Sequence, residues 1–260
     1  MKKIIAVLMA LMALTAVFAG GKKEAVVINS VADLDGLKIG VQAGTTGELW
    51  CQENLPNAKI ISHKTGMDAA LDLKNGAIDA VVLDELPAEA IVAKNPTLKI
   101  QRDPEFTNNK EEYAIAIKKG NTALVDSINA TIATMKKNGE YEALVNAFMP
   151  AEGAIVIPAI AAVSSSTVLK LGTNAAFPPF EYVEGSAIVG FDISMGQKVA
   201  NDFGAKLEVV NMEFDSLIPA LQSGTIDFIA AGMSVTEERK KNVDFSDPYY
   251  ASEQVIILRK

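Results

Sequence analysis

Short apolar runs alternate with amphipathic runs along residues 36–148. Runs of four to six residues rich in Ile, Val and Leu are typical of strands, whereas apolar residues at every third and fourth position are typical of helices. The predicted strands are 37–42, 58–62, 78–83 and 112–117, and the predicted helices are 46–54, 66–74, 87–94, 122–137 and 139–148. Strands that alternate with helices in this way indicate an α/β unit with a parallel sheet.

The same alternation resumes after residue 167. The predicted strands there are 168–173, 206–212, 226–230 and 254–259, with a hairpin at 180–189, helices at 191–203 and 215–223, and a helical turn at 236–241. Residues 149–167 fit neither period and contain Pro150 and Pro158, so we interpret them as a linker packed along a surface groove. The pattern therefore predicts two α/β lobes.

The first residues carry an export pattern. Two lysines follow Met1, the apolar run 4–18 comes next, and small residues precede Gly20. Fifteen residues are short for a membrane span, so we expect a signal peptide over 1–19, cleaved after Ala19. The alternative is an uncleaved anchor helix. A lipoprotein signal requires Cys where Gly20 stands.

Composition narrows the classes of function. The 260 residues contain 24 Lys+Arg, 32 Asp+Glu, one Cys and one His. Cys51 has no partner for an internal disulfide. One Cys and one His are too few ligands for the usual zinc sites, so Cys51 and His63 are interpreted as structural. No cofactor is expected. Without 1–19 the net charge becomes -10, which argues against nucleic-acid binding.

A candidate anion site follows the predicted strand 226–230. The chain passes through Gly232 and Ser234 and enters a helical turn capped by Thr236. Free backbone N–H groups gather at such a turn, and Arg239 adds a two-pronged guanidinium, so the segment suits a carboxylate. The alternative is that Arg239 is a solvated helix residue.

Lobe-forming strands in the first half end in polar residues as well. Gln42 and Thr46 belong to a strand-turn-helix segment that lacks the Gly-Lys-Ser/Thr of a phosphate-binding loop. Asp84 follows the apolar strand 78–83, where a desolvated carboxylate in a crevice would attract an ammonium group. The alternative for Asp84 is a helix N-cap before Pro87.

Aromatic residues follow two predicted strands in the second half. Asn174 lies just past one of them and precedes Phe177, and Phe214 lies just past the other. Two rings could enclose a ligand side chain, with Asn174 supplying an amide. The alternative for both phenylalanines is core packing.

Taken with their surroundings, these residues resemble the periplasmic type II family of polar amino-acid-binding proteins of ABC transporters, which includes glutamine- and lysine/arginine/ornithine-binding proteins. The segments similar to the opening half of that family are 171–182 (LGTNAAFPPFEY), 190–192, 214–221 and 244–250. Those similar to its closing half are 34–47, 79–84 and 138–141. The resemblance implies an α/β fold of two lobes with the ligand cleft between them.

The two halves stand in the reverse of the family's order, which implies a circular permutation. The expected divisions are a signal peptide (1–19), an N-terminal segment with half of a split hinge (20–35), lobe 2 (36–117), helices that return to lobe 1 (118–148), a permutation linker (149–167), and lobe 1 with the other half of the split hinge (168–260). Residues 25–29 are expected to pair with 254–258 and restore the second crossover between the lobes.

The resemblance also implies roles for the candidate residues. Arg239 would pair with the α-carboxylate of a polar L-amino acid such as glutamine, arginine or lysine, helped by Ser234 and the amide of Thr46. Asp84 and the carbonyl of Gly232 would take the α-ammonium group. The residues expected around the ligand side chain are Asn174, Phe177, Phe214 and Gln42.

The expected function is therefore that of a periplasmic or otherwise extracytoplasmic solute-binding protein, which closes by hinge motion and delivers its ligand to an ABC permease without a cofactor. The alternative is an enzyme on the same scaffold, similar to the periplasmic cyclohexadienyl dehydratases, because a fold does not settle a function.

Overall fold

The computed structural model describes residues 27–260, so the predicted signal peptide lies outside the described residues. The helices are α1 (Thr46–Asn54), α2 (Gly66–Lys74), α3 (Glu85–Ala93), α4 (Pro104–Thr107), α5 (Thr122–Asn138), α6 (Glu140–Phe148), α7 (Phe191–Asp202), α8 (Leu217–Ser223) and α9 (Glu237–Asn242). The strands are β1 (Lys38–Gln42), β2 (Lys59–His63), β3 (Ala80–Asp84), β4 (Leu98–Gln101), β5 (Glu111–Tyr113), β6 (Ala116–Lys118), β7 (Val168–Thr173), β8 (Ala176–Phe177), β9 (Glu181–Glu184), β10 (Ala187–Val189), β11 (Lys206–Asn211), β12 (Phe228–Ile229), β13 (Val243–Phe245), β14 (Tyr250–Ser252) and β15 (Gln254–Arg259). Within 27–260, no helix is long and apolar enough to cross a membrane.

Two five-stranded sheets define two lobes, as the sequence pattern predicts. The sheet of lobe 2 has the order β2-β1-β3-β15-β4, and the sheet of lobe 1 has the order β11-β7-β12-β6-β13. In each sheet three parallel strands are followed by one antiparallel strand, β15 in lobe 2 and β6 in lobe 1. The prediction of a two-lobe α/β fold is therefore confirmed.

The antiparallel strand of each sheet arrives from the other lobe. The chain crosses once from β5 to β6 and once from β13 through β14 to β15, and β5 and β14 pair with each other between the lobes. The backbone carbonyl of Tyr113 accepts from the N–H of Tyr249, which ties the two crossovers together at 2.9 Å. Both crossovers are thus continuous stretches of chain.

The expectation of a split hinge is wrong. Both edges of β15 are occupied, by β3 on one side and β4 on the other, so no edge remains for residues 25–29. Of those five residues, the described ones, 27–29, form no strand. The lobe boundaries change accordingly, because β6 completes the sheet of lobe 1 and β15 completes the sheet of lobe 2.

The segment 149–167 contains neither helix nor strand, as the prediction of a linker requires. It runs over lobe 1, where the Asn201 side chain of α7 donates to the carbonyl of Ala161 at 2.9 Å and accepts from the N–H of Val163 at 3.2 Å. The single strand expected at 112–117 is in fact two strands, because the chain passes between the lobes at this point. Five short elements, β4, α4, β8, β13 and β14, were not expected.

The N-terminal residues that the structure describes belong to lobe 2. Leu34 is fully buried there in a cluster that includes Ile39, Val82 and Ile256. Complete burial of a leucine side chain contributes about 1.5–3 kcal/mol. The end of β15 and the start of the described chain are therefore fixed to the same lobe.

Candidate functional site

The carboxyl ends of the parallel strands in the two sheets face each other across a cleft. In lobe 2, Gln42 is the last residue of β1 and Asp84 is the last residue of β3. In lobe 1, Asn174 directly follows β7 and Ser234 lies in the turn after β12. Ligand sites of open α/β sheets form at this edge.

A narrow cavity with about 10 Å³ of free space lies between the lobes. Thr45 and Glu181 line it, and so do all nine residues singled out in the sequence, namely Gln42, Thr46, Asp84, Asn174, Phe177, Phe214, Gly232, Ser234 and Arg239. This is about the space that one water molecule needs, so the lining must move apart to admit a larger ligand. The structure thus brings residues from both halves of the chain into one site.

Arg239 lies inside the protein, with 8% of its surface exposed. Its Nη1 donates to the carbonyl of Ser234 at 2.7 Å and its Nη2 donates to the carbonyl of Gly44, in the other lobe, at 2.9 Å. The guanidinium also packs over the ring of Phe214 at 5.4 Å, and Thr236 caps its helix. The alternative of a solvated Arg239 is therefore wrong.

Asp84 is 4% exposed and occupies the N-cap position of α3, but its side chain does not cap that helix. It accepts instead from the hydroxyl of Tyr113 and, at 2.8 Å, from Nε2 of Gln254. Burial and the nearby Glu111 raise the pKa of Asp84 to about 7, against the opposing effects of the two hydrogen bonds and of Arg239. The carboxyl group is thus poorly neutralised at its own end of the cavity.

Glu111 belongs to the site, although sequence reasoning did not find it. Its Oε2 accepts from the hydroxyl of Thr46 at 2.6 Å and from the hydroxyl of Ser234 at 2.5 Å. Its Oε1 lies 3.4 Å from Nε2 of Gln254. Glu111 lies on crossover strand β5, so its position depends on how the lobes meet, and no local pattern indicates it.

Glu181 is the second acid that sequence reasoning missed. It is fully buried on β9 beside the carboxyl group of Asp192, with which it hydrogen-bonds when one of the two acids is protonated. Burial, together with the nearby Asp192, raises its pKa well above the usual range. The sequence contains one signal for Glu181: this acidic residue directly follows the apolar Pro-Pro-Phe turn.

Asp192 supports the turn that lines the cavity. Its Oδ2 accepts from the N–H of Gly232 at 2.8 Å and from the hydroxyl of Tyr249 at 2.7 Å. Gly232 has a φ of +52°, and a Cβ there would lie 2.7 Å from the ring of Phe177. Glycine is therefore required for this turn, because a side chain would strain the backbone and displace the aromatic wall.

Direct contacts join the lobes around the cavity. Gln42 Nε2 donates to Asn174 Oδ1 at 3.0 Å, and Asn174 in turn donates to the carbonyl of Met212 at 2.8 Å. At the rim, Lys64 and Glu213 form an ion pair at 2.6 Å. The structure therefore represents a closed arrangement of the lobes.

Two other residues, Cys51 and His63, were predicted to be structural. Cys51 is buried, and burial raises the pKa of its thiol to about 12. His63 contacts Asp72 through Nε2 at 3.0 Å, away from the cavity. Neither residue lines the site.

Comparison with known proteins gives partial matches. Residues 169–260 match the model of bacterial extracellular solute-binding proteins, family 3. The arginine-binding extracellular protein ArtP of Bacillus subtilis is 46% identical over 97 residues, which are 37% of this chain and 38% of that protein. A probable histidine-binding protein of Campylobacter jejuni is 40% identical over 97 residues, with the same two shares.

A solved structure of an ancestral arginine-binding protein bound to arginine is 54% identical, covers 32% of this chain and 37% of that one, and has a TM-score of 0.32. The chain spans less than two fifths of the length of the two curated relatives. The resemblance of 34–148 to the closing half of the family stays a prediction. Asn174, Phe177, Phe214, Gly232, Ser234 and Arg239 all lie in the segment 169–260, which is similar to the bacterial extracellular solute-binding proteins of family 3.

Proposed function

We propose that the protein binds a polar L-amino acid between its lobes, with the α-carboxylate on Arg239 and the α-ammonium group on Asp84. The observation that carries this proposal is that a buried guanidinium and a buried carboxyl group, one from each lobe, line the same cavity. A zwitterion offers one opposite charge to each of them. Because the two partners belong to different lobes, the ligand stabilises the closed arrangement.

The remaining predicted residues complete this arrangement in the proposal. Ser234 and Thr46 add donors for the carboxylate, and the carbonyl of Gly232 adds an acceptor for the ammonium group. The residues that would enclose the ligand side chain are Gln42, Asn174, Phe177 and Phe214.

We further propose that the ligand has a cationic side chain, with Glu181 as its partner. Two adjacent buried carboxyl groups, Glu181 and Asp192, are costly to ionise together, and a guanidinium or ammonium group in the cavity would stabilise the charge of Glu181. The relatives described above are named for binding arginine and histidine. These names favour such a ligand over a neutral one.

We propose an extracytoplasmic location, cleavage after Ala19, and delivery of the ligand to an ABC permease. The export pattern of residues 1–19 and the description of the matching family as extracellular support the location. Sequencing the N terminus of protein recovered outside the cytoplasm tests the cleavage, since processing must leave Gly20 as the first residue.

We propose that the protein releases its ligand unchanged, because the relatives carry the names of binding proteins. The rival is an enzyme of the dehydratase kind. Incubation of the protein with the ligand, followed by chromatographic recovery, separates the two: full recovery supports binding, and a dehydrated or decarboxylated product contradicts it.

We also propose that the chain order is a circular permutation of the family's order. Support comes from the order of the segments: the part that matches the family model, 169–260, follows 34–148, which resembles the family's closing half.

Calorimetric titration of the purified protein with each of the twenty L-amino acids tests the central proposal. The expected result is saturable binding at one site per chain, strongest for arginine or another cationic amino acid. Absence of binding by every amino acid would contradict it.

A further inference from the structure

Glu111 occupies the hydroxyls of Thr46 and Ser234, two residues that the proposed function places beside the ligand's α-carboxylate. The hydroxyls of Thr46 and Ser234 both donate to the same oxygen of Glu111, at 2.6 and 2.5 Å. A hydroxyl group has one proton and donates one hydrogen bond. Neither hydroxyl can therefore donate to a second carboxylate while Glu111 holds it.

The guanidinium next to them is also partly occupied. Arg239 directs Nη1 and Nη2 at the backbone carbonyls of Ser234 and Gly44. Among the described residues, no carboxylate lies within 4.0 Å of it. Glu111 therefore accepts from two hydroxyls beside the proposed carboxylate site. It does not form an ion pair with Arg239, which an incoming carboxylate would form.

Glu111 also joins three parts of the molecule. It lies on crossover strand β5, whereas Thr46 belongs to lobe 2 and Ser234 to lobe 1. Gln254, the first residue of β15 in the lobe 2 sheet, donates to Asp84 at 2.8 Å and lies 3.4 Å from Glu111, so two carboxyl groups share one amide. The closed arrangement holds these acids near each other and keeps the pKa of Asp84 raised.

We propose that Glu111 is an internal competitor of the ligand's α-carboxylate, which holds the lobes together through Thr46 and Ser234 and must give up both hydroxyls when the ligand binds. This inference rests on the proposed function. Its consequence is that Glu111 weakens ligand binding, in contrast to the other polar residues of the site, each of which is expected to strengthen it.

Glu111→Gln tests the competition with a nearly isosteric change. A hydrogen bond to a carboxylate is roughly twice as strong as one to a neutral acceptor, so the variant should release the hydroxyls more readily and bind both L-arginine and L-glutamine about ten-fold more tightly. Glu111→Ala removes the acceptor altogether and should give at least the same gain. Glu112→Gln is the matched control, because Glu112 is the exposed neighbour on β5 and carries the same charge.

The titration is performed at pH 8.5. Loss of Glu111 also favours ionisation of Asp84, whose pKa is about 7, and at pH 8.5 that carboxyl group is ionised in both proteins. A gain that persists there comes from the hydroxyls. A gain confined to neutral pH, or unchanged or weaker binding by both Glu111 variants, would overturn the competition.

Small-angle X-ray scattering of the ligand-free proteins gives a second readout. Without the bridge through Glu111, the variant should have a larger radius of gyration than the wild type, and saturating L-arginine should abolish that difference. An identical radius without ligand would contradict the bridging role. Failure of the wild type to bind any amino acid would instead overturn the proposed function, so the two failures are distinguishable.

Discussion

The two ends of the cavity differ in how their charged groups are held. At the lobe 1 end, Arg239 is fixed by two backbone carbonyls, by the ring of Phe214 and by its helix. At the lobe 2 end, Asp84 is held by Tyr113 of crossover strand β5 and by Gln254, the first residue of β15 in the lobe 2 sheet.

The two ends therefore differ in how well their charges are compensated. The guanidinium is held by one carbonyl from each lobe and by the ring of Phe214. Asp84 takes one hydrogen bond from within lobe 2 and one from a crossover strand, but burial and Glu111 still raise its pKa to about 7. We therefore expect the carboxylate end to contribute the larger share of the binding free energy.

Arg239→Ala is expected to have the largest effect, a loss of at least ~2 kcal/mol in binding free energy, because it leaves a buried ligand carboxylate unpaired. Calorimetry with L-arginine measures it. Lys240→Ala is the control, since Lys240 is exposed and pairs with Glu237 on the same helix. A loss below three-fold for Arg239→Ala would remove this residue from the carboxylate site.

Glu181→Gln should weaken arginine binding roughly ten-fold while glutamine binding changes little, because a neutral amide cannot compensate a buried guanidinium. The exposed Glu184 on the same strand supplies the control change, Glu184→Gln. Equal losses for arginine and glutamine would show that Glu181 has only a structural role.

Binding should weaken as the pH falls through 7, because Asp84 must be ionised to hold the ammonium group. Below its pKa of about 7, the limiting loss is about ten-fold per pH unit. Titrations between pH 5.5 and 8.5 measure it. Asp84→Asn should bind more weakly at high pH and show a flatter profile than the wild type, and an unaltered slope would contradict the assignment.

The same group acts in the opposite direction on stability without ligand. Its pKa is higher in the folded protein than the 3.8 of an unperturbed Asp, so the folded state binds the proton more tightly. The contribution of Asp84 therefore favours the folded state at low pH and is lost as the pH rises from about 4 to about 7. The wild type should lose more stability across this window than Asp84→Asn.

The smallest effect is expected from reversing the proposed permutation. The contacts of Lys260 and Asn29 lie at Thr97 and Gln101, about 13 Å apart along a strand. A flexible segment of about six residues spans that gap. A chain that joins 260 to 29 and opens within 149–167 should fold and bind arginine within a factor of about two of the wild type. An unfolded product would contradict the permutation.

Local pattern was sufficient for the long elements and for residues at strand ends. The bounds of α1, α2, β7 and β15 were predicted from periodicity and caps, and strand ends indicated Asp84 and Arg239. The residues missed were Glu111, Glu181 and Gln254. Glu111 lies on crossover strand β5, where side-chain direction depends on the arrangement of both lobes, and Gln254 reaches Asp84 only because β15 joins the lobe 2 sheet. The split hinge failed for the same reason: sheet membership of 254–259 is a long-range property that its own sequence does not specify.

If Asp84 holds the ligand's α-ammonium group, the effect of changing Asp84 must depend on that group. The most direct test is a double-mutant cycle by calorimetry, in which wild type and Asp84→Asn are each titrated with L-arginine and with the arginine analogue that lacks the α-amino group. The account predicts that Asp84→Asn costs at least ~2 kcal/mol with arginine and under about 0.5 kcal/mol with the analogue. Equal losses with both ligands would contradict it.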